Sequence, residues 1–480
     1  MSEIIWDLAL IQKYNQSGPR YTSYPTALEF NEHYTNEDFI AATQRYPDRP
    51  LSLYVHIPFC HKLCYFCGCN KVITRHQHKA DIYLDFLEKE IKARSKLFTN
   101  RVATQVHWGG GTPTYLTEAQ SARLMNMLRE HFKIADNAEV SIEMDPREIE
   151  LSMLDHLRNI GFNRISMGVQ DFNKDVQKAV NREQDEAFVN ALLVRARELG
   201  FQSTNLDLIY GLPLQTVESF MFTLQKVIEL NPDRLSVFNY AHLPSRFAGQ
   251  AKIKEWQLPK PETKLEILQK TIETLGNAGY KFIGMDHFAK PDDELAIAQQ
   301  KGILHRNFQG YTTQEECDLL GLGVSAISLL GDTYAQNQKD LKTYYAHVEE
   351  NGIALHKGLA MTEEDCLRRD VIKQLICNFK LAYAPLEKQY NINFKQHFAE
   401  DLALLAPLAA DGLLDIGEDQ ITVSAKGRLS TVLCLSCVKS LGFQHRTCNR
   451  FCLTALPVTP YSVIALNISG NRLITPIHII

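Results

Sequence analysis

The densest chemistry in this chain sits in one short loop, His56-Ile-Pro-Phe-Cys60-His-Lys-Leu-Cys64-Tyr-Phe-Cys67-Gly-Cys69. Cys60, Cys64 and Cys67 follow the spacing Cys-x3-Cys-x2-Cys. Thiolates are the usual protein ligands of iron–sulfur clusters, and a 4Fe–4S cube ordinarily takes four of them. Three on one loop leave one iron open to a small chelating molecule, and an open position separates a reactive metal centre from a structural one. The competing reading is a zinc site, but zinc favours Cys-x2-Cys pairs far apart in sequence. Cys69 reads as a nearby thiol with work of its own; the other reading is a fourth ligand.

Further polar motifs recur along the chain. Trp108-Gly-Gly-Gly-Thr-Pro113 contains three consecutive glycines, which let backbone approach a ligand closely and take positive φ. Glu143 lies in Ser-Ile-Glu-Met-Asp-Pro, Gln170 in Ser-Met-Gly-Val-Gln-Asp, Arg182 in Ala-Val-Asn-Arg and Asp207 in Asn-Leu-Asp-Leu-Ile-Tyr-Gly. Each is a polar side chain inside or beside an apolar run, and buried polar groups need partners. One such residue alone is as readily a surface residue at a strand end. Their recurrence on successive units points to a shared ligand.

These motifs fall just after short apolar runs that read as strands: Leu51–Ile57, Gln105–Trp108, Glu139–Met144, Arg164–Gly168, Thr204–Ile209 and Leu235–Tyr240. Amphipathic runs between them read as helices over Asp81–Lys96, Glu118–His131, Ser152–Asn159, Glu186–Leu199, Val217–Leu230 and Thr263–Ala278. Repeated β–α units imply parallel strands covered by helices. Six units are too few for a closed eight-stranded barrel, so the expectation is an α/β chain built on a partial (β/α)6 barrel. Such folds carry their chemistry at the C-terminal ends of the strands. The expected divisions are an N-terminal arm (1–48), the partial barrel (49–290), a segment completing or connecting it (291–360), a mostly helical accessory domain (361–428) and an atypical tail (429–480). The segment Gly18-Pro-Arg-Tyr-Thr-Ser-Tyr-Pro25 reads as part of the arm, outside the core. The accessory domain is expected to end in a small hairpin or wing near Ile421–Val423.

The composition is that of a soluble globular protein, with 45% hydrophobic and 22% charged residues. A net charge of −5 gives no electrostatic footprint for nucleic acid, and no apolar run reaches the length of a membrane span. The start of the chain lacks a secretion signal, and the 11 cysteines are unevenly spread, so tight cysteine spacing reads as metal or redox chemistry in a cytoplasmic protein.

Cys-x3-Cys-x2-Cys after a first β-strand resembles the signature of the radical S-adenosylmethionine superfamily. That resemblance implies that the cofactor's amino and carboxylate groups bind the open iron. It also implies that an electron from the cluster cleaves the sulfonium to methionine and a 5′-deoxyadenosyl radical. With Trp108–Pro113, Glu143, Gln170, Arg182, Asp207, Cys69 and the arm Arg20-Tyr-Thr-Ser-Tyr-Pro25, the chain more closely resembles the oxygen-independent coproporphyrinogen III oxidases. The implied reaction is oxidative decarboxylation of two propionates of coproporphyrinogen III to vinyl groups, giving protoporphyrinogen IX in anaerobic haem biosynthesis. The implied cofactor site comprises Tyr54, Phe66, Gly110, Gly111, Thr112, Glu143, Gln170, Arg182, Asp207, Ala241 and Ile327, with Gln309 a further contact. The cluster ligands would be Cys60, Cys64 and Cys67. Tyr54 and Cys69 are the candidate catalytic residues. A second S-adenosylmethionine beside the first is also implied, as are a monomeric state and an electron donor and acceptor of unknown identity. Arg20, Lys71 and Arg246 are candidate anchors for the substrate's carboxylates, because cations must meet a tetra-carboxylate.

Two other readings compete. One is a related haem chaperone that keeps the cluster without oxidase activity; Cys69 and the arm speak against it. The other is a radical enzyme acting on RNA; the acidic balance and the lack of a basic, aromatic-interleaved stretch speak against that. The tail departs from the family pattern. From Leu429 to Ile480 there is no Asp or Glu, and Cys434, Cys437, Cys448 and Cys452 accumulate. A divergent or frame-shifted terminus fits this better than a second metal site, and it leaves open whether the chain retains activity.

Overall fold

The computed structural model describes residues 4–14, 23–314 and 317–430. Six parallel strands form its centre: β1 (Leu51–Ile57), β2 (Val102–Gly110), β3 (Lys133–Met144), β4 (Arg164–Gln170), β5 (Ser203–Tyr210) and β6 (Arg234–Asn239). The helices between them are α1 (His78–Ser95), α2 (Glu118–His131), α3 (Ser152–Asn159), the helix pair ending in α4 (Glu186–Glu198), and α5 (Val217–Leu230). The expected spans of β1, α2, α3 and α5 match these bounds, and β2 and β3 are longer than their apolar runs suggested.

Period-two alternation builds the barrel wall. In β1, Leu51, Leu53, Val55 and Ile57 are fully buried among the apolar side chains of the main core. The intervening Ser52, Tyr54 and His56 bond polar groups instead, as with Ser52 Oγ donating to Gln105 Oε1 at 2.7 Å. In the next strands Val106 and Trp108, Val140 and Ile142, Ile165 and Met167, and Leu206 and Leu208 join the core. Their neighbours Gln105, His107, Glu139, Ser141, Glu143, Arg164, Ser166, Asn205 and Asp207 line a polar lumen.

Helix starts follow from capping chemistry. Thr117 and Gln120 close a capping box at α2, and Thr216 and Ser219 close one at α5.

The sheet does not stop at six strands. On one side β1 pairs in parallel with the strand Asp318–Leu322, which continues through three antiparallel strands ending at Leu355–Ala360; on the other, β6 meets antiparallel strands His287–Ala289 and Lys281–Gly284. Twelve strands therefore share one sheet. A hairpin over His305–Thr312 lines the lower lumen with Asn307, Gln309, Tyr311 and Thr312.

Glu90 on α1 fastens the added strands to the barrel. It is fully buried and takes bonds from Arg94, Asn337, the Tyr344 hydroxyl and the Gly323 amide. Removing one partner of a buried pair of this kind costs roughly 3–5 kcal/mol, because the other charge is stranded.

One sequence expectation needs correction. Tyr24, read as part of a peripheral arm, is 7% exposed and belongs to the main core. Its carbonyl also accepts from the Tyr334 hydroxyl at 3.1 Å, so this end of the arm is packed structure. The expected hairpin or wing near Ile421–Val423 is present and belongs to a three-stranded sheet. Gln420–Val423 is its middle strand, flanked by Leu414–Ile416 and by Lys380–Ala382, which arrives from between two helices. The expectations for Arg20 and for Cys434, Cys437, Cys448 and Cys452 fall outside the described residues.

Candidate active site

The cysteine loop leaves the C-terminal end of β1 and folds over the mouth of the lumen. Its base is a short parallel pairing of Phe59–Cys60 with Val72–Ile73. Outer contacts fix the rest: the Tyr65 amide donates to the Val180 carbonyl at 3.0 Å, Asn181 Nδ2 to the Leu63 carbonyl at 2.7 Å, and Gln250 Nε2 to the Phe66 carbonyl at 2.8 Å. Lys71, a candidate substrate anchor, instead donates to the Cys67 and Cys69 carbonyls at 3.0 and 3.4 Å and staples the loop. Arg246 lies in the loop after β6 with its guanidinium over the Phe247 ring.

A cleft of about 1080 Å3, open at the mouth, lies between this loop and the strand ends. Cys60, Cys64, Cys67 and Cys69 line one wall. Gly110, Gly111, Thr112, Glu143, Gln170, Arg182, Asp207 and Ala241 line the others, with Phe66 beside the cysteines. Polar residues from four successive strand ends thus face one space, which removes the reading of each as an isolated surface residue. Tyr54 stands just below, stacked on His107 with ring centroids 5.9 Å apart. Ile327 is not on the cleft wall: it packs with Ala27, Phe30, Tyr334, Leu359 and Met361 in a satellite core, because its strand lies outside the six-strand barrel, two places beyond β1 in the sheet. Gln309 lines a lower chamber of about 910 Å3, which shares Glu143, Ser166, Asp207 and Phe238 with the cleft.

Local geometry explains the glycines. A Cβ on Gly109 would come within 2.9 Å of Glu143 Oε1, and one on Gly111 within 2.8 Å of the Phe59 carbonyl. Gly110 adopts φ of +120° and its amide donates to Glu143 Oε2 at 3.2 Å. A Cβ on Gly168 would meet Gln170 and Arg182, so that glycine lets both side chains lie across the strand end. Gln170 itself has φ of +68° at an irregularity in β4.

The charges are set by burial. Asp207 accepts from Asn205 at 2.8 Å and Ser166 at 3.2 Å, and burial, then the nearby Glu143 carboxylate, pushes its carboxyl up to about 6. Burial, then Glu143, also holds the Tyr54 phenol protonated. His56 Nε2 lies 3.0 Å from the Asn70 carbonyl, which can only accept; Nδ1 is therefore the acceptor for the Tyr54 hydroxyl at 3.1 Å.

The donor set fits a cluster and a polar organic cofactor. Four thiols, those of Cys60, Cys64, Cys67 and Cys69, line one cleft, and thiolates are the usual protein ligands of iron–sulfur clusters. Gln170 Oε1 is buried with no partner within the protein, the signature of an acceptor awaiting a donor from a ligand.

Comparison with known proteins agrees with this geometry. Residues 54–227 match the radical SAM superfamily model, and residues 361–430 match the HemN C-terminal domain. The oxygen-independent coproporphyrinogen III oxidase of Escherichia coli K12 is 69% identical over 429 residues, 89% of this chain and 94% of that protein. Its namesake in Pseudomonas aeruginosa is 50% identical over 434 residues, 89% and 94% of the two chains. The solved structure of coproporphyrinogen III oxidase (HemN) from Escherichia coli, described as a radical SAM enzyme, superposes with a TM-score of 0.89 at 66% identity over 91% of this chain and 99% of that one. The chain belongs to the oxygen-independent coproporphyrinogen III oxidases. It is a radical SAM oxidoreductase of haem biosynthesis, and the chaperone alternative is not favoured. None of the helices among the described residues is long and apolar enough to cross a membrane.

Two residues of this oxidase escaped the sequence reading. Asp145 and Arg147 line the cleft beside Arg182. Both guanidinium groups donate to Cys64 Sγ, each at 3.2 Å. Burial works against the Asp145 carboxylate, but Arg182 and Arg147 hold its carboxyl well below the usual range. In sequence, Met-Asp-Pro-Arg looks like a turn after a strand. The available signal was its position, one residue beyond the strand end that carries Glu143.

Proposed function

We propose that Cys60, Cys64 and Cys67 would hold a 4Fe–4S cluster, and that the cleft behind them would bind S-adenosylmethionine, for oxidative decarboxylation of two propionates of coproporphyrinogen III. The observation that carries this reading is the convergence of one three-thiol loop with Gly110–Thr112, Glu143, Gln170, Arg182 and Asp207 on one space. The bound cofactor pair supplies an oxidant strong enough for an unactivated C–H bond, chemistry that no side-chain base offers at neutral pH.

The chain's own residues bind and orient. Glu143 and Asp207 offer carboxylates to the amino and hydroxyl groups of the cofactor, Arg182 offers a guanidinium to its carboxylate, and Phe66 an aromatic face to its adenine. Glycines 109–111 keep the backbone low so that the ligand can approach. Tyr54, its hydroxyl hydrogen turned to His56, presents its oxygen as an acceptor beside Cys69 and Glu143. Tyr54 and Cys69 stand where cofactor and substrate would meet, and Arg246, with Arg20, is a candidate carboxylate anchor. The lower chamber, continuous with the cleft through Glu143 and Asp207, gives room for a second S-adenosylmethionine, with Gln309 on its wall. Each propionate loses one hydrogen atom, one carbon dioxide and one electron on becoming a vinyl group, so a one-electron acceptor is required. The enzyme acts as a monomer in the cytoplasm.

The test is anaerobic. The iron-reconstituted chain, with a strong reductant, S-adenosylmethionine and coproporphyrinogen III, is expected to release two carbon dioxide molecules and form two vinyl groups per porphyrinogen. Methionine release without vinyl formation would assign another substrate to the site.

A smaller prediction concerns Gly109. Gly109→Ala pushes a methyl group against the Glu143 carboxylate while leaving the strand conformation allowed. Affinity for S-adenosylmethionine is expected to fall about tenfold, the loss of one charge-assisted hydrogen bond, with the melting temperature little changed. Equilibrium dialysis and a thermal melt on the same preparation check it.

A further inference from the structure

The three proposed ligands do not have equivalent surroundings. Cys60 Sγ accepts from the neutral Thr112 hydroxyl at 3.3 Å. Cys67 Sγ accepts from the Cys69 amide at 3.5 Å, with the Cys69 thiol and the Lys71 ammonium also against it. Cys64 Sγ accepts from two guanidinium groups, Arg147 Nη2 and Arg182 Nη1, both at 3.2 Å. Of the three sulfurs, only that of Cys64 is met by two positive groups. Asp145 sits behind that sulfur and grips Arg147 as a fork, with Nε at 2.9 Å from Oδ1 and Nη2 at 2.5 Å from Oδ2, while lying 3.2 Å from Arg182 Nη1. Arg147 Nη1 is tied to the Asn181 carbonyl at 3.0 Å. The Arg147 side chain is 4% exposed and Cys64 is 7% exposed, so water screens little of this charge.

We propose that Arg147, held by Asp145, is a positioning residue that sets the reduction potential of the cluster through the Cys64 sulfur. The inference rests on the ligand assignment above. When one electron from a low-potential donor enters the cluster, its net charge becomes more negative by one and the added density is shared with the thiolate sulfurs. Donors on a ligand sulfur and buried positive charge beside it stabilise that reduced form. Asp145 has two opposed effects: it orients the Arg147 fork and offsets part of its charge. The pair thus gives a sign test. Loss of the Arg147 charge makes reduction harder, whereas loss of the Asp145 charge, with both arginines kept, makes it easier.

The experiment is a redox titration of the iron-reconstituted full-length chain, followed by electron paramagnetic resonance without S-adenosylmethionine. Arg147→Gln is expected to lower the equilibrium constant for one-electron reduction about tenfold, a potential about 59 mV more negative. Asp145→Asn is expected to move it in the positive direction. Arg147→Lys, which keeps the charge but not the fork, is expected to lie between the unaltered chain and Arg147→Gln. A structural disturbance of the loop would move Arg147→Gln and Asp145→Asn the same way, so a shared direction, or no shift in either, overturns the proposal. If Arg147→Gln does not take up a full complement of iron and sulfide, Asp145→Asn decides: a positive shift supports the proposal, and no shift or a negative one overturns it. Failure of the unaltered chain to form a cluster would instead refute the ligand assignment.

Discussion

Cys60→Ser is expected to give a folded, colourless protein that releases no methionine from S-adenosylmethionine and forms no vinyl product. The substitution is nearly isosteric. Cys60 lies in a short strand pairing whose backbone bonds do not depend on its side chain, and a serine hydroxyl can still bond the Thr112 hydroxyl that now donates to sulfur. The fold should therefore survive, and the melting temperature should stay close to that of the unaltered chain. What is lost is chemical. A serine hydroxyl does not ionise near neutral pH and its oxygen is a poor ligand for a sulfide-bridged iron, so a cube held by the three proposed cysteines would keep only two of its protein ligands. Groups that merely support a metal ligand typically contribute 10–100-fold to affinity or activity, and removing a ligand itself must cost more than that. Iron and sulfide analysis, visible absorbance after anaerobic reconstitution and methionine release measure the outcome together. Sulfonium cleavage persisting in this variant would show that the three-thiol loop is not the reactive centre.

The parts of this site that were legible from sequence were those fixed by local rules. β1, α2, α3 and α5 could be bounded because their periodicity and flanking residues agree, as with the Thr117 and Thr216 capping positions. The cysteine loop could be expected at the mouth of the barrel because it follows directly on the first apolar strand. Glu143, Gln170 and Asp207 could be placed because parallel strands send their C-terminal ends to a common face. What escaped depends on long-range packing. Arg147 contacts Cys64 across 83 positions, and nothing in Asp-Pro-Arg says that its fork will point inward instead of into solvent. Ile327 sits at the start of a strand that the six-unit pattern did not contain, in the part of the sheet added beyond β1. Tyr24 looked peripheral because its neighbours are turn formers; its carbonyl is bonded by the Tyr334 hydroxyl, 310 positions later. Lys71 has the composition of a substrate anchor, and only the fold of its own loop shows that carbonyls claim its ammonium first.

Asp207→Asn is expected to make the ligand-free chain more stable at pH 7.5 while weakening its hold on S-adenosylmethionine. In the folded, ligand-free chain burial, and then Glu143, keep the Asp207 carboxyl protonated up to about pH 6, against an ordinary value of 3.8. Between those two values the folded state holds a proton that the unfolded state has released. Stability therefore falls as pH rises through that window, and the loss is complete above about 6. A difference of roughly two pKa units corresponds to about 3 kcal/mol. Asparagine cannot ionise, so the variant escapes this loss. Its amide can still accept from Asn205 and donate to Ser166, which leaves the local network satisfied. The expected gain is about 1–3 kcal/mol at pH 7.5, vanishing near pH 4, as read by denaturant melts of the ligand-free protein. The same change removes the negative charge offered to the cofactor. A hydrogen bond to a charged group contributes about 1.5–3 kcal/mol, so affinity should drop roughly 10–100-fold, and in the unaltered chain it should weaken as pH falls below about 6. The two effects have one origin: a carboxylate held in the lumen away from solvent destabilises the empty protein and finds its compensation only when a cationic, hydroxyl-rich ligand fills the cleft. A variant that melts no higher than the unaltered chain at pH 7.5 and binds S-adenosylmethionine equally well would show that Asp207 serves the wall of the barrel and not its cargo.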